Sequence, residues 1–139
     1  MSGQQPFLLF YDEECPVCRA SMRAILRLAP PSQIEPVGLR SELAERLLAD
    51  EPLEERLRAF HLIAPDGARW KGPDAVAPLL ERLRFLGPAA SLLRRSPLAF
   101  RAASHAYHWV ARNRGRLARY IPASWARPLE PPPREGPVS

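Results

Sequence analysis

Cysteine is scarce in this chain of 139 residues, since only Cys15 and Cys18 are present. Two cysteines this close cannot provide the disulfide framework of a small secreted domain. The amino terminus lacks a basic segment followed by a long apolar core, and no apolar run approaches the ~20 residues of a membrane span. We therefore expect a protein of the reducing cytoplasm, where close cysteine pairs are more often catalytic or metal-binding than buried apolar side chains.

Acidic residues are absent between Arg82 and Leu129, although residues 1–81 contain thirteen of them. The arginines of this acid-free stretch are Arg82, Arg84, Arg94, Arg95, Arg101, Arg112, Arg114, Arg116, Arg119 and Arg127. Such asymmetry indicates either an anionic partner, namely nucleic acid or a membrane surface, or a helical face solvated by arginine. The aromatic residues among them suit base stacking, a membrane interface or ordinary packing: Tyr107, Trp109, Tyr120 and Trp125. We expect packing and solvation, so neither nucleic acid nor a membrane surface is our expected partner.

Proline is abundant, with 17 residues that cluster at Pro30-Pro31 and near the carboxyl end. The chain length fits one domain, for which about 100–200 residues is usual. We predict a single domain over residues 1–127, with its last helices at about 88–121. A proline-rich disordered tail is predicted over residues 128–139, where apolar periodicity is lost.

The first half of the chain alternates strand and helix patterns. The continuous apolar run Phe7–Tyr11 is typical of a strand buried on both faces. Helical spacing of apolar residues begins at Cys15 and ends before Pro30-Pro31, which predicts a first helix. A second strand is predicted at Ile34–Leu39, and Ser41 is a suitable N-cap for the next helix. Strand, helix and strand together make a crossover unit.

A hairpin and a helical region make up the rest. Phe60–Ala64 and Ala68–Lys71 flank the turn Pro65-Asp66-Gly67, which predicts two antiparallel strands. The pattern beyond Gly87-Pro88 is helical throughout. It predicts a short helix at Ala89–Arg95 and a longer one at Pro97–Tyr120, whose last third is expected to fray or bend at Gly115. The predicted apolar side of this helix consists of Leu98, Ala102, Ala106, Trp109 and Val110.

Both cysteines fall at the start of the first helix, where thiol chemistry has a physical basis. A thiolate, rather than a thiol, attacks a disulfide. The unpaired N–H groups of the helix start, the Cys18 thiol and the neighbouring Arg19 would each lower the pKa of Cys15. Cys15, in the exposed first turn, is therefore the predicted attacking residue. Cys18, one turn later, is the predicted resolving residue that breaks the mixed disulfide.

Asp12, at the end of the first strand, is the third candidate site residue. Its negative charge opposes thiolate formation at Cys15. A carboxylate at this position is, however, suited to accept the proton of Cys18 as that thiol becomes a nucleophile. The alternative is that Asp12 only caps the helix or turn. Both roles are open from the sequence.

Half of a zinc site is the alternative chemistry for the cysteine pair, because a structural zinc site needs four ligands. His105 and His108, three positions apart on a predicted helix, are the candidate partners. No second cysteine pair accompanies them, and isolated histidines on a helix are more often structural. We therefore expect neither a metal nor an organic cofactor.

The motif Asp12-x-x-Cys15-x-x-Cys18 after an apolar strand resembles that of the DCC family of thiol-disulfide oxidoreductases. Two further stretches resemble family segments in the same order, Asp66-Gly67 with Gly72-Pro73-Asp74-Ala75, and Tyr107 with Ala111-Arg112-Asn113-Arg114. The resemblance implies a thioredoxin-like α/β fold, a small mixed sheet of about four strands flanked by helices, with a carboxyl-terminal helical extension. It also implies dithiol–disulfide exchange through Asp12, Cys15 and Cys18, with a protein or small-molecule disulfide as substrate and a cellular thiol as reductant.

Two positions depart from the pattern of these relatives. Glu13 stands where many members have glycine after the aspartate. Leu57-Arg58-Ala59 precedes the predicted third strand, where thioredoxin-fold enzymes usually carry a cis-proline that faces the cysteines. The nearest earlier proline is Pro52. The sequence therefore lacks the proline that would show which backbone segment lies opposite the cysteines.

Overall fold

A four-stranded mixed sheet forms the centre of the molecule in our computed structural model, which describes residues 5–30 and 33–129. The strands are β1 (Phe7–Tyr11), β2 (Ile34–Gly38), β3 (His61–Ile63) and β4 (Arg69–Lys71). Their order in the sheet is β2-β1-β3-β4. β1 is parallel to β2 and antiparallel to β3, and β3 is antiparallel to β4. This arrangement confirms the predicted thioredoxin-like fold.

Helices cover the sheet and continue beyond it. Those of the described residues are α1 (Pro16–Leu28), α2 (Glu42–Leu47), α3 (Leu53–Arg56), α4 (Val76–Leu80), α5 (Gly87–Arg95), α6 (Pro97–Arg112), α7 (Arg114–Leu117) and α8 (Ala123–Ala126). Short 3₁₀ helices at Gly72–Ala75 and Ala118–Tyr120 precede α4 and follow α7. The carboxyl-terminal helices form the predicted extension of the sheet domain.

β1 is buried on both faces, as its continuous apolar sequence predicts. Leu9 packs with Met22 of α1 and Leu62 of β3 in one apolar cluster. Phe10, on the opposite face, packs with Val37 and with Ala44 of α2 in a second cluster. A central strand between two apolar layers holds its register firmly, because a slip of one residue would exchange the two faces. The end of β1 therefore holds the residues that follow it in a defined position.

Arginines of α1 attach the carboxyl-terminal segment to the domain. Arg19 donates a hydrogen bond to the carbonyl oxygen of Ala126, and Arg23 donates to those of Trp125 and Arg127. Arg27 lies over the Trp125 ring, 4.5 Å from its centroid. The three arginines, spaced four residues apart along α1, therefore bind α8 and its flanking residue instead of only facing solvent.

The prediction of one helix over Pro97–Tyr120 is wrong, because the chain leaves helical geometry at Asn113 (φ −109°, ψ 18°). The Asn113 side-chain amide donates to the carbonyl oxygen of Trp109 at 2.7 Å, and so caps the last turn of α6. An asparagine that satisfies a terminal carbonyl in this way competes with helix continuation. α7 then starts at Arg114.

The predicted apolar side of that helix is also largely wrong. Leu98 and Trp109 are 74% and 52% exposed. The contact with the domain is made by Tyr107, whose hydroxyl oxygen accepts a hydrogen bond from the backbone N–H of Phe60 at 3.2 Å. The two rings meet edge to face, 5.4 Å between centroids. One aromatic residue therefore docks α6 onto the segment that leads into β3.

Predictions at the carboxyl end fall mostly outside the described residues. Of the proposed tail at 128–139, residues 130–139 are not described. Leu129 packs against the apolar cluster that contains Leu9. Within the part of the chain that the structure describes, no helix has the length and apolar character needed to cross a membrane.

Candidate active site

The turn after β1 brings Cys15 to the start of α1. The Asp12 side chain accepts a hydrogen bond from the backbone N–H of Glu14 (3.0 Å), and its carbonyl oxygen accepts one from Cys15 (3.1 Å). Cys15 is extended (φ −98°, ψ 120°) and is the N-cap of α1. Pro16 follows in the first turn, where its missing N–H has no intrahelical partner to lose. The structure thus confirms the expected position of Cys15 at a helix start.

Cys15 and Cys18 form one hydrogen-bonded pair of free thiols. The Cys18 thiol and then the Cys18 backbone N–H, 3.4 Å from Cys15 Sγ, donate to the Cys15 sulfur. The thiol hydrogen bond lowers the pKa of Cys15 to about 6, with further help from Arg114 and against the effect of burial. The same hydrogen bond, together with burial, raises the pKa of Cys18. Near neutral pH the pair therefore holds one thiolate, on Cys15.

Arg114 is a site residue that the sequence analysis missed. Its guanidinium Nη1 lies 3.2 Å from Cys18 Sγ, and its Nη2 donates to the carbonyl oxygen of Leu57 at 3.3 Å. The same guanidinium lies 3.7 Å from Asp12 Oδ2. The available signal was its place in the Ala-Arg-Asn-Arg segment that resembles the family pattern, but nothing in the sequence distinguishes it from the neighbouring arginines.

Asp12 is buried and reaches Cys18 through Arg114. A capping hydrogen bond is present, in which its Oδ1 accepts the N–H of Glu14. The carboxylate also pairs with two arginines, Arg114 and Arg40, the latter at 3.4 Å. A carboxylate between two guanidinium groups fixes their positions as well as its own. Asp12 therefore caps the turn and pairs with the cation that contacts Cys18.

Glu13 occupies the space above Gly38 at the end of β2. Its carboxylate oxygens accept the backbone N–H of Arg40, both at 3.2 Å. A side chain at position 38 would collide with this carboxylate, so glycine at 38 accommodates glutamate at 13. The departure from the family pattern thus has a structural partner across the β1–β2 pair, and the Glu13 side chain points away from the cysteines toward Arg40.

Arg19, which the sequence predicted to lower the pKa of Cys15, makes other contacts. Its guanidinium donates to the carbonyl oxygens of Glu13 (2.8 Å) and Ala126. The arginine that lowers the pKa of Cys15 is Arg114.

The segment before β3 faces the cysteines without a proline. All peptide bonds of the described residues are trans. The carbonyl oxygen of Leu57 accepts from Arg114, and the N–H of Phe60 donates to Tyr107. Two backbone groups of this segment are therefore bound by side chains of the carboxyl-terminal helical region. A sheet domain without that region would leave both groups open to a partner.

An apolar cleft of about 350 Å³ separates α1 from α6. We call it the apolar cleft, and its walls include Val17, Met22 and Ile25 of α1, and Ala103, Ala106 and Val110 of α6. Cys18, Asp12 and Arg114 stand at its polar end. Cys15 is not among the described residues that line it, so the two sulfurs face different surroundings.

Metal ligation has no support from the geometry of the described residues. Among them, no group of three or more histidine, cysteine, aspartate or glutamate side chains is placed to hold a metal ion. His105 and His108 are exposed on α6. His61 is buried in β3, where a ring nitrogen lies 3.3 Å from the carbonyl oxygen of Arg56.

Similarity to a known family covers most of the chain. The model of the DCC1-like thiol-disulfide oxidoreductase family matches residues 9–120. This range contains the cysteine pair, the whole sheet except the start of β1, and Arg114. No curated protein and no solved structure matched the chain.

Proposed function

Because the chain belongs to the DCC1-like thiol-disulfide oxidoreductase family, we propose that it reduces disulfides by exchange through Cys15 and Cys18. The observation that carries this proposal is the hydrogen-bonded cysteine pair at the start of α1, in which one sulfur has a pKa of about 6 and the other a raised pKa. In a pair of this kind one cysteine is an ionised nucleophile, and the other stays protonated until the first has reacted.

Cys15 acts first in the proposed reaction. Its thiolate attacks one sulfur of the substrate disulfide, which forms a mixed disulfide and expels the other substrate sulfur as a thiolate. Cys18 then attacks Cys15 Sγ, so that the second substrate thiol leaves. Two electrons have passed to the substrate, and the enzyme holds a Cys15–Cys18 disulfide. A cellular thiol returns the pair to the reduced state.

Cys18 becomes a nucleophile only after Cys15 has reacted. The mixed disulfide removes the negative charge of Cys15, which opposed ionisation of Cys18. The guanidinium of Arg114, 3.2 Å from Cys18 Sγ, stabilises the thiolate that then forms. We propose that Asp12 holds Arg114 in this position. Acceptance of the Cys18 proton by Asp12 is the second role that we retain as a proposal.

The proposed exchange uses side chains alone, without metal or organic cofactor. A protein disulfide and a small-molecule disulfide are both possible substrates of Cys15, which is partly exposed. We place the reaction in the cytoplasm, because a reducing thiol pool is needed to regenerate the pair.

Redox titration with a matched pair of serine variants tests the proposal. Cys15→Ser should abolish disulfide reductase activity, whereas Cys18→Ser should accumulate a mixed disulfide on Cys15, visible by intact-mass measurement. The wild type should form an intramolecular disulfide under mild oxidation. Absence of that disulfide, combined with full activity of Cys15→Ser, would refute the proposed function.

A further inference from the structure

The apolar cleft is a cavity of ligand size beside a reactive sulfur. Its volume of about 350 Å³ lies in the range of roughly 300–1,000 Å³ that is usual for small-molecule sites. The α6 wall is built largely from alanine, at Ala103, Ala106 and Ala111. These methyl groups are too short to fill the space up to Met22 and Ile25 of α1, so the space remains open to an apolar group.

Cys18, Arg114 and Asp12 form the polar end of the cleft, and Ser21, Arg58 and Tyr107 also line it. Cys18 Sγ and the Arg114 guanidinium are 3.2 Å apart there, and Asp12 lies behind Arg114. The hydroxyl of Tyr107 is already engaged by the N–H of Phe60. A matching ligand therefore has an apolar body and a single anionic or nucleophilic group that meets Cys18 and Arg114.

We propose that the apolar cleft binds a small uncharged thiol, which reduces the oxidised enzyme by attacking Cys18 Sγ. This inference rests on the proposed function and identifies the class of its reductant. The ligand's carbon skeleton lies between α1 and α6, and its sulfur lies at the polar end, where the Arg114 guanidinium favours the thiolate form. The substrate disulfide reacts with Cys15, outside the cleft.

The electrons and atoms balance in two exchanges. The ligand thiolate forms a bond with Cys18 Sγ, the Cys15–Cys18 bond breaks, and Cys15 leaves as a thiolate. A second thiol, on the same molecule if the ligand is a dithiol, then attacks the ligand's sulfur and releases Cys18, which takes a proton. The enzyme disulfide has gained two electrons, and the ligand has become a disulfide.

Attack at Cys18 expels Cys15 as the leaving group. Exchange is faster when the departing sulfur belongs to the thiol of lower pKa. The Cys18 thiol hydrogen bond, the largest cause of the lowered Cys15 pKa, is lost once Cys18 carries the ligand, whereas the backbone N–H groups of Cys18 and Val17 also lower that pKa and do not depend on the Cys18 thiol. The departing Cys15 thiolate is thus stabilised by the start of α1.

A trapping experiment identifies the attacked sulfur. The oxidised full-length protein is mixed briefly with benzyl mercaptan, quenched with acid, and alkylated with a maleimide, and peptide fragmentation locates the label. We expect the maleimide on Cys15 and the benzyl thiol on Cys18. With glutathione, which is charged and polar, we expect the reverse. Benzyl thiol on Cys15 would overturn the inference and leave the proposed function intact.

A pair of leucine variants tests the cleft itself. Ala106→Leu fills the cleft, whereas Ala102→Leu makes the same change at an exposed position of α6 that does not line it. Reduction of the oxidised enzyme by dihydrolipoamide should slow about tenfold in Ala106→Leu only, as expected when a hydrophobic pocket loses space for its ligand. Reduction by glutathione should be unchanged in both.

Equal dihydrolipoamide rates in wild type and Ala106→Leu would contradict the cleft as the binding site. Failure of the proposed function would show earlier, as the absence of a Cys15–Cys18 disulfide after oxidation, and it would overturn both proposals.

Discussion

At the residue scale, position rather than chemical type distinguishes the two thiols. Cys15 is the N-cap of α1 and receives hydrogen bonds from Cys18. Cys18 lies one turn inside the helix, is more buried, and donates a hydrogen bond from its thiol to Cys15. Arg114 contacts the inner sulfur. The thiol hydrogen bond and the guanidinium contact can each be removed by one substitution, so their separate contributions can be measured.

The pH dependence of Cys15 alkylation is the first prediction. A pKa of about 6 means that the iodoacetamide rate should rise through that pH and level off above it. Cys18→Ala removes the thiol hydrogen bond that contributes most to the lowered pKa, so the midpoint should move upward. Ser21→Ala, a nearby exposed change on α1, is the control and should leave the midpoint in place. An unchanged midpoint in Cys18→Ala would contradict the assigned cause.

Arg114 provides the second prediction. Arg114→Gln should slow release of substrate from the Cys15 mixed disulfide about tenfold, because the Cys18 thiolate loses a charge-assisted contact. Initial attack by Cys15 should change less, since Arg114 is a smaller contributor to its lowered pKa. Arg112→Gln, in the same segment but exposed, is the matched control. Stopped-flow measurement of the two steps separates these effects, and equal slowing by both variants would argue against a specific role of Arg114.

At the element scale, α6 and the residues that follow it complete a site whose cysteines lie at the start of α1. α6 has no buried residue. Its contacts with the domain include the hydrogen bond between Tyr107 and Phe60, and its last turn is capped at Asn113, next to the Arg114 that reaches the cysteine pair. A helix attached at a few points also leaves the space that forms the apolar cleft.

Tyr107→Phe is the third prediction. Loss of the hydroxyl leaves the backbone N–H of Phe60 without its acceptor, which should lower the free energy of unfolding by about 1 kcal/mol. Tyr120→Phe, at a side chain that is 75% exposed, makes the same chemical change and should have no measurable effect. Urea unfolding of the three proteins provides the test. Equal stability of wild type and Tyr107→Phe would show that the hydrogen bond does not dock α6.

The sequence predicts the elements of the sheet domain better than those of the extension. Phe7–Tyr11 and the turn at Gly67 are determined by local chemistry, namely a buried apolar run and a residue at positive φ (96°). Asn113 shows no comparable local signal, because asparagine is only mildly unfavourable in a helix. Arg114 could not be predicted, since its contact with Cys18 joins residues 96 positions apart. Local patterns carry no information on which of many arginines makes such a contact.

At the scale of the whole molecule, the arginines of the acid-free stretch make several different kinds of contact. Arg82 lies over the Phe7 ring, 5.0 Å from its centroid, and Arg94 pairs with Glu81 at 2.8 Å. Arg114 belongs to the candidate site. These contacts favour packing and solvation over one anionic binding surface. Binding to nucleic acid or anionic vesicles stays the alternative prediction, and salt-sensitive binding would support it.

Stability of the reduced and oxidised proteins is the fourth prediction. The Cys15 pKa falls from an ordinary 9.0 to about 6 on folding, so its stabilising effect is complete above pH 9 and is lost as pH falls through 6. The raised pKa of Cys18 acts only above its ordinary value of 9.0. The oxidised protein has neither thiol. The difference in unfolding free energy, reduced minus oxidised, should therefore increase from pH 6 to pH 9, and a constant difference would contradict the assignment.

The position of Arg114 also sets the order in which the site is completed during synthesis. The last strand ends at Lys71, and both cysteines are made long before that point. A chain that leaves the ribosome amino terminus first can thus form its sheet and present its thiols while Arg114 is still untranslated. Until α6 and α7 dock, Cys18 lacks its guanidinium neighbour and the cleft lacks a wall. Under the proposed function, the nascent protein is therefore expected to exchange disulfides more slowly than the finished one.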